Sequence, residues 1–396
     1  MKTCLGNARV ILTDNIIEGY VVVEDGVILE VCAGRVPRLK DYSIVDMGGL
    51  FLSPGFIELH THGAGGCDFM DGAAEAFITA SKVHMEHGAT TLYPTTLAAS
   101  REEIISCIDA FREARKTMRD GPNMPGLHLE GPYLNINQKG AIDENYIRNP
   151  DPTEYKDILE YGNGVIARWT TAVELPGAIQ FGRYLRELRI LPSIGHSDAE
   201  YSEVVTGFNC GYTHITHLYS AMSGMVRRGG FRYPGVIESA FCLPEMTVEI
   251  IADGCHLPGE ILEMVSRVKG VDKVCLISDS MRCAGQDVKK SVLGSLKNGR
   301  PVIIEDDVAK LPDRSAFAGS IATDDSLVRV MIQKAGVSVQ NSVRMMTLTP
   351  AEIIGISNRK GSIEKGKDAD LICFDDNITI KGVMINGKPI SGIMRG

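Results

Sequence analysis

The sequence predicts an α/β protein: a TIM-like (β/α)₈ barrel at its centre and one small β-sandwich domain built from both chain ends. Three observations carry this. Eight short apolar runs alternate with amphipathic helical patterns, and together they span about 250 residues, the layout and size of a parallel barrel. Almost every run ends on a polar or titratable residue: His60 and His62, Thr95, Glu130, Glu174, His196, His217, Asp253 and His256, Asp279. The C-terminal strand ends are where such a barrel carries its functional groups. Finally, residues 1–53 and 359–396 read as short β segments, and neither end is long enough to hold a core alone. The boundaries follow: 1–53 with 359–396 for the β domain, and 54–358 for the barrel.

The elements can be taken in order. The N-terminal segment supplies "ARVILTD", "YVVVEDGVILEVCAG" turned at Glu24-Asp25-Gly26, and "YSIVDMGGLFLSPG". The barrel runs are "FIELHTH", "TTLYPTT", "GLHLEGP", "VIARWTTAVEL", "ILPSIGHSD", "YTHITHL", "MTVEIIADGCH" and "KVCLISDS". Between most of them lie helical patterns such as "AAEAFITASKVHMEHG" and "REEIISCIDAFREARKTM", apolar at three- and four-residue spacing. After the eighth run comes a Gly- and Pro-punctuated stretch, 284–320, and then three short helices to about residue 356. The closing "GSIEKGKDADLICFDD" and "ITIKGVMINGKPI" carry a hairpin signal at Asn386-Gly387.

Composition narrows the function. A net charge of −9 argues against a nucleic-acid or anionic-membrane partner, both of which select a basic surface. No apolar run approaches the ~18 residues of a membrane helix, and the opening "MKTCLGNARVILTDN" predicts no secretory signal. The ten cysteines show no C-x-x-C pair, and Cys275 and Cys373 sit in apolar strand-like runs. A disulfide framework is therefore not expected, and a reducing cytoplasm is.

His60 and His62 have period-2 spacing, so both point to one face of the first strand, inward at the barrel mouth. The glycines that follow let the next loop pass close by. With Glu130 on the third strand, His196 on the fifth, His217 on the sixth and Asp279 on the eighth, they form a set of N and O ligands. Such a set suits Zn²⁺, Fe²⁺, Mn²⁺ or Co²⁺, and the lack of cysteine argues against a structural zinc site.

The segments "PGFIELHTHGAGGCDFMDG", "GATTLYPTT", "HLEGPYLNINQKGA", "GHSDA", "THLYSAM", "ADGCHLP", "LISDS", "FAGS" and "LTPAEIIGISNRKGSIEKGKDADL" occur in that order. In them, over essentially its whole length, the chain resembles the N-acetylglucosamine-6-phosphate deacetylase family of the amidohydrolase superfamily. "HLEGPYLN" with "THLYSAM" is the specific part; the H-x-H and C-terminal segments are shared more widely. The resemblance implies a metallo-hydrolase barrel in which Glu130, His196 and His217 hold the main metal. It implies a second metal on His60 and His62, helped by Asp279 and bridged by Glu130. Members that lost the H-x-H pair run on one metal. The expected cofactor is thus one or two divalent ions per chain, Zn or Fe ahead of Mn and Co. Asp279 matches the catalytic acid/base, and Ala141, Ser220, Ala221, Ala318 and Gly319 match positions lining the substrate. His256 and Arg232 match phosphate-side contacts, with a neighbouring subunit's site within reach. The implied reaction is hydrolysis of N-acetylglucosamine 6-phosphate to glucosamine 6-phosphate and acetate, by a cytoplasmic homodimer in amino-sugar catabolism.

Three departures bear on the substrate. Ile142 stands where the family has a histidine expected to contact the substrate carbonyl, so that a second metal could act there as the Lewis acid. Ser220 replaces an asparagine. The segment "GMVRRGGF" lengthens the approach to "RYPG", where Tyr233 replaces a glutamate and Arg227, Arg228 or Arg232 could serve the anion. An amidohydrolase of another amide is the nearest rival, but those often bridge their metals with lysine, and here the residue is Glu130. A non-catalytic barrel is the other, opposed by the complete ligand set. For the remaining side chains the plain readings stand. His84 and His87 are expected as cations at a helix C-terminus beside Gly88, and His128 as a neighbour of the ligands or a packed core residue. His214 and Trp169 are expected in the core.

Overall fold

The computed structural model describes residues 2–36 and 42–395. Eight strands form the barrel wall, adjacent in chain order: Phe56–Thr61, Ala89–Thr96, Leu127–Glu130, Ile166–Thr171, Leu191–Ile194, His214–Ile215, Thr247–Ile251 and Val274–Ile277. Each adjacent pair is parallel. The wall closes where its ends meet, since Asp279 N–H donates to the His60 carbonyl at 2.9 Å and His62 N–H to the Ser280 carbonyl at 2.8 Å. All eight apolar runs therefore supply barrel strands. They read as near-continuous runs because parallel strands are covered on both faces; the first and second are buried at every residue.

Helices pack outside by the face the sequence pattern marks. In Arg101–Thr117, Ile104, Ile108 and Phe111 are buried, and Ser100 caps the start. Its Oγ accepts from Glu103 N–H at 3.3 Å while the Glu103 carboxylate accepts from Ser100 N–H at 3.0 Å, a reciprocal box. The three late helices are Asp324–Gln333, Val339–Met346 and Leu348–Ile353. The stretch 284–320, in contrast, hides a three-stranded antiparallel sheet, Lys290–Leu293, Arg300–Glu305 and Val308–Lys310. "GMVRRGGF" forms a second unexpected piece, an exposed hairpin of Val226–Arg228 with Phe231–Tyr233.

Both chain ends share one mixed sheet. Phe51–Pro54 lies between Lys2–Ile11 on one side and Leu371–Phe374 on the other, so an N-terminal strand joins the two ends. The sheet forks along Lys2–Ile11: residues 2–6 pair with Tyr42–Asp46, and residues 9–10 with Phe51 and Leu52. Both arms bury side chains in one cluster that includes Leu5, Val45, Leu52, Leu371 and Met384. The two predicted hairpin turns touch. Asn386 and Gly387 have φ of 49° and 73°, as a two-residue left-handed turn requires. A Cβ on Gly387 would lie 2.8 Å from Gly26 Cα. Phe51, Phe374 and the barrel residue Phe56 share a further apolar cluster, which ties the sheet to the barrel. The ten cysteines are free thiols. No helix among the described residues is long and apolar enough to cross a membrane.

Candidate active site

Six side chains converge at the C-terminal mouth of the barrel. His60, His62 and Asp279 bring one ligand atom each within 4.8 Å of one another, and so do Glu130, His196 and His217. In the first group Asp279 Oδ1 lies 3.4 Å from His60 Nε2 and 3.2 Å from His62 Nε2. In the second Glu130 Oε1 lies 3.0 Å from His217 Nε2 and 3.3 Å from His196 Nε2. Glu130 joins the two, its Oε1 3.5 Å from His60 Nε2 and its Oε2 3.3 Å from His62 Nε2.

Backbone geometry aims these groups. Glu130 ends its strand and His62 comes just after its own, whereas His196, His217 and Asp279 each come two residues after theirs. Those three adopt φ of 48°, 29° and 46°. A positive φ is uncommon for a residue with a Cβ and costs about 1–3 kcal/mol. Here it turns each side chain back over the barrel axis.

The donors fit a divalent cation. His196 Nδ1 lies 2.8 Å from the Gln138 carbonyl, His62 Nδ1 3.3 Å from the Thr95 carbonyl, and His60 Nδ1 3.2 Å from Glu249 Oε2. Acceptors at Nδ1 put the proton there and leave Nε2 with its lone pair, the tautomer a metal needs. His60 Nε2 is buried with no hydrogen-bond partner among the described residues, an orphan that a cation satisfies. Burial works against charge on Glu130, yet the imidazoles of His60, His196 and His217 outweigh it and hold the carboxyl well below its usual range. Asp279 is likewise lowered, burial being overcome by His60 and His62.

A buried ionic layer underlies the ligands, and sequence reasoning missed it. Glu249, on the seventh strand, pairs with Arg168 on the fourth, and its Oε2 accepts from His217 N–H at 3.3 Å. Arg168 also donates to Ser193 Oγ at 2.9 Å and Thr216 Oγ1 at 2.7 Å. The available signal was a charge in the middle of each apolar run, "TVEII" and "IARWT", because a charge buried there must be paired. His128 sits edge-on to His60 at 4.6 Å between ring centroids and bonds Thr170 Oγ1 at 2.7 Å, so it backs the ligands. Burial, with Arg168 beside it, pushes its pKa well below the usual histidine value and keeps it neutral. His214 is buried and bonds Thr247 Oγ1 at 2.8 Å. Trp169 is core, its indole N–H donating to the Gly131 carbonyl at 2.8 Å. His84 and His87 end their helix against Asp324 and Asp325, at 2.8 and 2.9 Å.

A cavity of ≈ 390 Å³ opens above the ligand cluster, lined by His62, Glu130, His196, His217 and Asp279, while His60 lies outside its lining. Ala141, Ser220, Ala221, His256 and Gly319 line it, as do Asn137, Gln138, Tyr219 and Phe317, which sequence reasoning did not name. Ala318 is buried beside Gly319 without facing the cavity. His256 Nδ1 is held by Asp253 Oδ2 at 2.7 Å, leaving Nε2 free for a ligand. Arg232, Arg227 and Arg228 are exposed on the Val226–Tyr233 hairpin, outside this cavity of their own chain. Ile142 lines the cavity where a polar group was the family expectation.

The chain is similar to known proteins over nearly its whole length. The amidohydrolase family model matches residues 51–390. The chain is 31% identical to N-acetylglucosamine-6-phosphate deacetylase of Haemophilus influenzae over 98% of its own length and 99% of the relative's. It is 32% identical to the Bacillus subtilis protein of that name, over 93% and 92%. It is also 26% identical to N-acetylgalactosamine-6-phosphate deacetylase of Escherichia coli O157:H7, over 87% and 89%. Among solved structures, N-acetylglucosamine-6-phosphate deacetylase from Pasteurella multocida matches with a TM-score of 0.90 at 27% identity, over 98% and 99%. A mutant of the Mycobacterium smegmatis enzyme, in complex with N-acetyl-D-glucosamine-6-phosphate, matches with a TM-score of 0.89 at 26% identity over the same shares.

Proposed function

Because the chain belongs to the N-acetylglucosamine-6-phosphate deacetylase family of the amidohydrolase superfamily, we propose that it removes the acetyl group of N-acetylglucosamine 6-phosphate, releasing glucosamine 6-phosphate and acetate. The observation that carries the reading is the pair of three-ligand clusters joined by Glu130 on the floor of a cavity that His256 and Ser220 line. Glu130, His196 and His217 would hold one divalent cation, and His60, His62 and Asp279 a second. Such a cation supplies Lewis acidity and brings the pKa of bound water from 15.7 towards ~7. Asp279, kept ionised, takes the proton of the attacking water and returns it to the departing amine. Glu249, His128 and the carbonyls of Thr95 and Gln138 keep the imidazoles oriented. His256 presents Nε2 towards the phosphate, and Arg232 reaches a phosphate only from a second copy of the chain. Ile142 offers the amide carbonyl no hydrogen bond, and His60 and His62 would hold a cation whose Lewis acidity could serve that carbonyl instead.

Residues 54–358 constitute the catalytic barrel in this reading, with 1–53 and 359–396 as its β domain. The test combines metal analysis of purified protein with an amine-release screen over N-acetylated gluco- and galacto-configured 2-amino sugars, each with and without a 6-phosphate. Metal-dependent release from N-acetylglucosamine 6-phosphate ahead of the others is expected. No release from any of them, or equal release without the phosphate, would overturn the reading. The galactosamine relative and Ser220 make the 4-epimer the second reading, and the same screen decides between the two.

A further inference from the structure

Beside the catalytic cavity lies a smaller one of ≈ 50 Å³. Leu97, Ala141, Ile142 and Leu293 line both, so the two spaces meet along an apolar wall. Ala98 and Tyr146 belong only to the smaller space. The polar groups at its edge are already engaged within the protein. The Glu103 carboxylate accepts from Ser100 N–H at 3.0 Å and Asn298 Nδ2 at 3.0 Å, and Ser295 Oγ accepts from Asn298 N–H at 3.1 Å. Arg300 donates to the carbonyls of Ala141 at 3.0 Å and Ile142 at 3.3 Å, which pins the wall in place. The space therefore asks for an apolar occupant.

Its position selects the occupant. Leu97 follows the second barrel strand and Ile142 the loop after the third. In an eight-strand ring these lie across from the sixth and seventh strands, which lead to Ser220 and His256. A sugar phosphate held by His256 with its amide over the central cluster would point its N-acyl group at the Leu97–Ile142 wall.

We propose that the smaller cavity is an acyl-chain subsite, and that the enzyme hydrolyses 2-acylamino-2-deoxyhexose 6-phosphates whose acyl group is one or two carbons longer than acetyl. This rests on the function proposed above. The free volume of ≈ 50 Å³ exceeds what two water-sized groups need, at ~10–15 Å³ each, so propanoyl and butanoyl fit. Ile142 is then a specificity-determining residue at the neck of the subsite.

The experiment measures amine release from N-acetyl-, N-propanoyl-, N-butanoyl- and N-hexanoyl-glucosamine 6-phosphate. Binding of the same four compounds to Asp279→Asn is followed by calorimetry. With the subsite, kcat/KM for propanoyl and butanoyl equals or exceeds that for acetyl, by up to about fourfold per added carbon. Without it each added methylene is rejected by about 10–200-fold. Ile142→Ala should raise kcat/KM for hexanoyl relative to acetyl, and Ala98→Leu should lower the butanoyl-to-acetyl ratio at least tenfold. Acetyl hydrolysed with propanoyl and butanoyl at least tenfold worse, in wild type and in Ile142→Ala alike, overturns the subsite and leaves the deacetylase intact. If none of the four releases amine, the deacetylase reading fails, and the binding order decides the subsite alone: affinity rising from acetyl to butanoyl supports it, and falling affinity overturns it.

Discussion

Replacing Glu249 by Gln keeps the side-chain volume and removes a charge on which two different things depend. The carboxylate is fully buried; burial opposes its ionisation, and Arg168, with His214 and His60, holds its pKa well below the usual range. The first consequence concerns stability. Arg168 is 1% exposed and keeps its charge, with a neutral amide oxygen in place of the carboxylate beside the hydroxyls of Ser193 and Thr216. Stranding one member of a buried ion pair costs about 3–5 kcal/mol, and those remaining bonds place the expected loss near ~3 kcal/mol. The second consequence concerns the metal. Glu249 Oε2 sits 3.2 Å from His60 Nδ1, and losing such a partner typically weakens metal affinity about 10–100-fold. A double variant separates the two. Arg168→Met with Glu249→Gln removes the stranded charge, so urea unfolding of the metal-free protein should return most of the way to wild type. Calorimetric metal titration should still show the second ion weakened. If Glu249→Gln binds two ions as tightly as wild type, or if the double variant recovers stability and metal affinity together, the assignment of Glu249 as the group orienting His60 is wrong.

Three further outcomes are expected. His196→Ala, like the Glu130 and His217 variants, should lose metal and activity together, whereas His60→Ala should lose one ion and slow by at least ~10²–10³; Ile142→His in that background should recover part of the rate. Full metal content in His196→Ala, or a wild type fully active with one ion per chain, would contradict this. In the metal-free chain burial disfavours a charge on His62, but Asp279 and Glu130 prevail and raise its pKa to about 9. Against its burial, His60 in the same cluster is raised well above its usual value by Glu130 and Asp279 as well, so a cation must displace protons at neutral pH, and affinity should climb at least about tenfold per pH unit until pH passes about 9; calorimetry in buffers of different ionisation enthalpy counts the protons, and a count of zero refutes it. Gly387→Val forces a φ of 73° on a β-branched residue and sets its Cβ 2.8 Å from Gly26 Cα. It should destabilise the terminal sheet by about 2 kcal/mol or more in urea while metal content stays unchanged; an unaltered midpoint would show that the two turns do not lean on each other.

What could be read from the chain itself is what local chemistry encodes. Strands covered on both faces must be apolar throughout, which is why all eight barrel strands were visible from "FIELHTH" to "KVCLISDS". A two-residue turn with positive φ must carry residues such as Asn386-Gly387, so the last hairpin announced itself as well. The clustered histidines and carboxylates were legible because such residues recur at strand ends, where a barrel has its mouth. Other features depend on residues that meet only after folding. Arg168 and Glu249 are 81 positions apart, and no local period says that one charge will neutralise the other. The small sheet within 284–320 escaped because its strands are three to six residues long, with Gly299 just before the second and Pro301 within it, which erases the alternation that marks a strand. The left-handed backbone at His196, His217 and Asp279 is likewise imposed from outside, where strand ends must turn inward against their own preference. The family resemblance singled out Ile142 as a position facing the substrate, but only the packing of Leu97, Leu293 and Arg300 around it shows an apolar space behind it. A cavity is the volume that several distant segments leave between them, and none of those segments encodes it alone.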